Sequence, residues 1–153
     1  MKRIIILMAV IALFTSCGKD ENPVSETKQG VSLEFVKNNT LTTGQVTENS
    51  FNINVVMIWK SDGKDFKYNG ISDGLYAYDN VSKTSLKADY SYTNIKSKTI
   101  DLPVGKYFIT IVTDNTEVPK LAYSYTTFIV SKSDYVKVKK NVSGMASLTY
   151  TTW

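Results

Sequence analysis

The chain of 153 residues contains no histidine and only one cysteine, Cys17. Without imidazole, histidine-based triads and acid–base relays are excluded. A lone thiol cannot close an internal disulfide, so a folded domain must be held by its apolar core. Arginine is confined to Arg3 and the lysines are dispersed, which argues against a nucleic-acid ligand. Gly-x-Gly-x-x-Gly and phosphate-loop runs are missing, so nucleotide use has no motif. Long apolar runs are missing too. The longest, Ile4 to Phe14, has about eleven residues where a spanning helix needs roughly 20.

What is present at the start is ordered. Lys2-Arg3 is a charged opening, Ile4 to Phe14 an apolar stretch, and Thr15-Ser16-Cys17 a pair of small residues ending at the cysteine. That is the layout of an export leader. It resembles a bacterial lipoprotein signal, in which the peptidase cuts before the cysteine and the thiol carries lipid. Phe14 stands where the typical box has leucine, with Leu13 one place earlier, and such loosened boxes resemble those of Bacteroidetes lipoproteins. The resemblance implies a leader over 1–16 and lipid on Cys17, which removes the thiol as nucleophile or metal ligand. Lys19-Asp20-Glu21 resembles the lysine-plus-acids tag that sends many such lipoproteins to the cell surface. The expected location is the outer membrane, on its cell-surface side, with the membrane as partner through the lipid. Each buried methylene contributes roughly 0.8 kcal/mol, and several acyl chains anchor stably. Residues 17–30 are polar with only Val24 apolar and read as a solvated tether. Removing the leader takes away Lys2 and Arg3, so the formal charge of +4 is partly a property of the signal.

The remaining 31–153 fit one folding unit. Ten tyrosines beside many Thr, Ser, Val and Ile are strand-forming composition. Val31 to Val36 alternates with a period of two. Phe51 to Trp59 is the strongest segment, and Phe51, Ile53, Val55, Met57 and Trp59 are expected on one face. Asp62-Gly63, Asn69-Gly70, Asp73-Gly74 and Asp79-Asn80 mark turns. A short strand at Phe66 to Tyr68 and further strands near Leu75–Tyr78, Thr84–Ala88, Tyr90–Lys96, Lys106–Thr113, Leu121–Val130, Tyr135–Lys139 and Met145–Trp153 complete the pattern, with no helix after the signal. In Lys106 to Thr113, Tyr107, Ile109 and Ile111 share one face and Phe108 and Val112 the other. The expected fold is all-β, a two-sheet sandwich of about seven or eight principal strands, since one face of each strand must be hidden. A closed membrane barrel is disfavoured because Thr149 and Thr151 stand where apolar residues would alternate before Trp153. Leu102, Gly105 and Tyr107 resemble the Leu-x-x-Gly-x-Tyr hairpin of transthyretin-like and immunoglobulin-like sandwiches. That resemblance implies a sandwich and carries no activity.

The candidate chemistry is thin. Asp62, Asp65 and Asp73, with Asp79 and the Asn69 carbonyl, could supply oxygen ligands to calcium, but acids beside glycine ordinarily form turns. No carboxylate pair is identifiable for glycoside hydrolysis. Neither an enzyme nor a cofactor is expected. The tyrosine pairs Tyr76 and Tyr78, Tyr90 and Tyr92, and Tyr123 and Tyr125 each face together and could stack on sugars or pack on a protein. Lys137, Lys139 and Lys140 read as a protected sheet edge, or as contacts for an acidic surface. The expected function is a lipid-anchored, non-enzymatic binding or accessory module contacting a glycan or an envelope protein. The alternative is a structural subunit of an outer-membrane or adhesion complex, and less favoured is an envelope hydrolase.

Overall fold

The computed structural model describes residues 28–67, 75–115, 120–145 and 150–153. The segment expected as a leader, the expected tether up to residue 27, Tyr68 and Asp73 lie outside these. Among the described residues there are twelve strands and no helix long and apolar enough to cross a membrane. The strands are β1 (Gly30–Thr40), β2 (Val46–Ser50), β3 (Ile53–Lys60), β4 (Phe66–Lys67), β5 (Tyr76–Asp79) and β6 (Thr84–Lys87), followed by β7 (Tyr90–Ile95), β8 (Ser97–Asp101), β9 (Gly105–Asn115), β10 (Lys120–Val130), β11 (Tyr135–Asn141) and β12 (Tyr150–Thr152). The all-β expectation holds, with more strands than expected and, among the described residues, three sheets instead of two. Pairing is antiparallel except between β1 and β11 and between β10 and β12.

A front sheet is built on β1. One edge of β1 pairs with β11, and the other is shared by β8 along Gly30–Glu34 and β2 along Val36–Thr40. The handover falls at Phe35, whose amide donates to Lys96 O (2.9 Å) and whose carbonyl accepts from Phe51 N (2.9 Å). Val31, Leu33 and Phe35 point inward, almost wholly buried, while Glu34 is exposed. The central sheet runs β12-β10-β9-β3-β7 and the small sheet β4-β5-β6.

Two apolar clusters lie on opposite faces of the central sheet. The larger joins Val31, Leu33, Phe35, Ile100 and Val138 of the front sheet to Val56, Ile58, Tyr107, Ile109, Ile111, Phe128 and Val130. The smaller joins Met57, Trp59, Phe108 and Val112 to Phe66 and Ala77 of the small sheet. This corrects the one-face reading of β3. Val56 and Ile58 are buried on one side and Met57 and Trp59 on the other, with Ile53 in the larger cluster. A strand covered on both faces reads as a continuous apolar run, not as an alternation. The split expected for β9 is observed, with Tyr107, Ile109 and Ile111 in one cluster and Phe108 and Val112 in the other. Tyr107 turns back to the hairpin, its hydroxyl donating to Pro103 O (2.8 Å). Gly105 takes φ 154°, and a Cβ there would stand 2.5 Å from Asp62 Oδ2, so any side chain would have to push the Asp62 carboxylate aside.

Candidate functional site

The three tyrosine pairs have three different surroundings. Tyr90 and Tyr92 are half-buried against the larger cluster, and Lys98 Nζ stands 4.8 Å from the centre of the Tyr92 ring. Burial, then the neighbouring Tyr90, pushes the Tyr92 phenol up. Tyr123 and Tyr125 are half-buried against the smaller cluster, and the Tyr125 ring lies 5.8 Å from Phe108. Tyr76 and Tyr78 alternate with the buried Ala77 and Asp79, so they occupy the opposite, outward face of the small sheet. Trp59 is core, 1% exposed, with Nε1 donating to Leu86 O (2.9 Å).

One concavity borders Tyr125. The small sheet covers β3 and β9, and a groove of about 300 Å³ lies between its Phe66 and Tyr125, Thr126 and Thr127 of β10. Its floor is aromatic: Phe66 stacks on Phe108 at 5.6 Å with planes 27° apart, and Tyr125 continues beside Phe108 at an interplanar 39°. Its rim is polar, from Ser61, Lys64, Asp65, Thr126 and Thr127. A second hollow of about 630 Å³ shares Ser61, Lys64 and Thr127 and extends to Lys106 and Ile129. The wall is the loop expected at Asp62-Gly63, where Gly63 takes φ 69° and Lys64 N donates to Ser61 O (3.0 Å). Lys64 Nζ reaches Lys60 O (3.2 Å) and stands 5.9 Å from the Phe66 ring centre. Such a groove can stack the face of a ring while hydroxyls and an ammonium bind polar substituents. Phe66, Phe108, Lys64, Thr126 and Thr127 were not singled out by the sequence. Their convergence depends on where the small sheet ends, which no local pattern encodes.

The acids are tied into the fold. Asp62 Oδ1 accepts from Lys106 N (2.9 Å), and its other oxygen faces Lys60 Nζ at 3.6 Å. Asp65 Oδ2 accepts from Asn80 Nδ2 (2.9 Å). Asp79, read from sequence as a turn residue, is only 1% exposed and accepts the amides of Asp65 (3.0 Å), Val81 (3.1 Å) and Ser82 (3.1 Å). Ser82's side chain first, and those amides after it, hold its carboxyl well below the usual carboxylate range against the opposing effect of burial. No group of three or more His, Cys, Asp or Glu side chains is arranged for a metal among the described residues. The lysine run of β11 is divided. Lys137 is exposed, Lys139 pairs with Glu48, and Lys140 Nζ stands 5.9 Å from the Trp153 ring centre. Cys17, Lys19, Asp20, Glu21 and Asp73 lie outside the described residues.

No protein-family model, no curated protein and no solved structure matches the chain.

Proposed function

We propose that the protein is a non-enzymatic binding module of the bacterial cell envelope, anchored in the outer membrane by lipid on Cys17 and displayed at the cell surface. Its head carries a contact site for a glycan. The front and central sheets would form a sandwich of the transthyretin-like or immunoglobulin-like kind. Their shared cluster and the Tyr107–Pro103 hydrogen bond support that reading.

The observation that carries the binding proposal is the groove at the small sheet's margin. Stacked rings form its floor, hydroxyls and Lys64 its rim. Sugar rings offer both an apolar face and many hydroxyls, and this lining is complementary to both. Its test is affinity electrophoresis of the full-length protein in detergent, through gels carrying a panel of envelope polysaccharides. Retardation by at least one polysaccharide is expected, weakened about tenfold in a Lys64→Ala, Tyr125→Ala double variant, equal to about 1.4 kcal/mol. Retardation that survives unchanged in that variant contradicts the groove.

A second reading, a structural subunit, is favoured by one feature: β7 pairs only with β3 among the described residues, which leaves an edge open to a partner strand. Crosslinking in native membranes separates the two, because a subunit co-purifies stoichiometrically with one partner and a free-standing binder does not.

A further inference from the structure

The outward face of the small sheet brings tyrosines and lysines together. Directly paired residues of antiparallel strands share a face. The register therefore sets Lys67, Tyr78 and Ser85 in one row and Tyr76 with Lys87 in the next. Phe66, Ala77, Asp79 and Leu86 turn the other way, toward Trp59. Lys67, Lys87 and Ser85 are exposed, Tyr76 is 44% exposed and Tyr78 half-buried. None of these outward positions holds a carboxylate. Among the described residues, Asp79 turns to the opposite face and accepts the Asp65, Val81 and Ser82 amides, and Asp65 accepts from Asn80.

We infer that this face binds an acidic polysaccharide, one bearing hexuronate carboxylates, with Tyr76 and Tyr78 as stacking platforms and Lys67 and Lys87 as the groups that select for charge. Alternate residues of a strand stand roughly 6.6 Å apart, so the two rings lie in series along β5 and present themselves to successive parts of an extended polymer. The lysines flank the rings across the strands, on β4 and β6, where the carboxylates of a chain laid along β5 project. A protein partner fits less well. A stable protein interface hides about 800 Å² on each side and has an apolar centre, whereas this face offers two tyrosines among lysines and a serine. The inference rests on the binding-module reading but does not use the groove beside Lys64.

The test is biolayer interferometry of the full-length protein in detergent on immobilised polygalacturonate, with fully methyl-esterified polygalacturonate as the uncharged control. Binding to the acid form is expected to exceed binding to the ester, to weaken with added salt as exposed charges are screened, and to fall on the order of tenfold in a Lys67→Glu, Lys87→Glu double variant. These lysines are exposed, and unchanged circular dichroism checks that the variant is folded. A Tyr76→Ala, Tyr78→Ala variant is expected to lose binding to both forms. The inference is overturned by equal binding to acid and ester, by absence of binding to the acid form, or by tighter binding to single-stranded oligonucleotide than to polygalacturonate. It is also overturned if the Lys64→Ala, Tyr125→Ala variant abolishes polygalacturonate binding while the Lys67→Glu, Lys87→Glu variant retains it. That last result would leave the groove proposal standing, so the two fail separately.

Discussion

Tyr107 shows how one side chain can join the hairpin to the core. It is fully buried, stacks on Phe128 at 5.4 Å and donates its hydroxyl to Pro103 O. Burial, followed by the neighbouring Tyr90, Asp62 and Asp89, pushes its phenol up to about 12 from an ordinary 10.0. The folded state therefore favours the neutral phenol. The stability this provides is complete below pH 10.0 and is lost as the pH rises through about 12. In urea unfolding, Tyr107→Phe is expected to cost about 1 kcal/mol at neutral pH from the lost hydrogen bond. Its stability should then fall less steeply than that of the parent between pH 10 and 12. Equal alkaline slopes would show that this phenol does not govern them. Sequence made this residue visible, since Leu102, Gly105 and Tyr107 sit at hairpin spacing. Asp79 was legible as a turn former or a calcium ligand, not as a buried carboxylate, because its burial follows from three amides that two separate segments bring to it.

At the scale of elements, the small sheet carries the functional argument, and it is a fragile structure. β4 has two residues, β5 and β6 four each, and isolated short strands are marginal. Packing against Trp59 and Phe108 and the Asp79 carboxylate hold it in place. Asp79→Asn removes the charge that those amides favour, so the unfolding midpoint at neutral pH should drop. Because the Asp79 carboxyl lies below its ordinary 3.8 in the fold, its contribution is present above that pH and lost as the pH falls below it. The parent should thus weaken in acid more steeply than the Asn variant in a urea series from neutral to strongly acid pH, and parallel curves would contradict this role. The long strands were readable because burial on one face leaves a period of two, as in Val31 to Val36. β3 was located correctly but assigned one buried face, since Val55 to Trp59 is apolar throughout and periodicity cannot say that two sheets cover it. β8 was not among the strands expected from sequence, for Ser97 to Thr99 carry no apolar signal and the strand exists through its pairing with β1.

For the whole molecule, the account joins a greasy anchor to a head that needs no apolar face of its own to stay at a membrane. Exposed apolar side chains such as Leu41, Val81, Val104 and Ile129 belong to different strands and turns. In the proposed arrangement, membrane attachment is at Cys17 and ligand contact at the groove and the outward face of the small sheet. The most direct test is mass spectrometry of the amino-terminal peptide of the protein isolated from its native membrane. The account predicts a chain that starts at Cys17 with fatty acyl groups on that residue. A leader still attached, or a Cys17 without lipid, would contradict it.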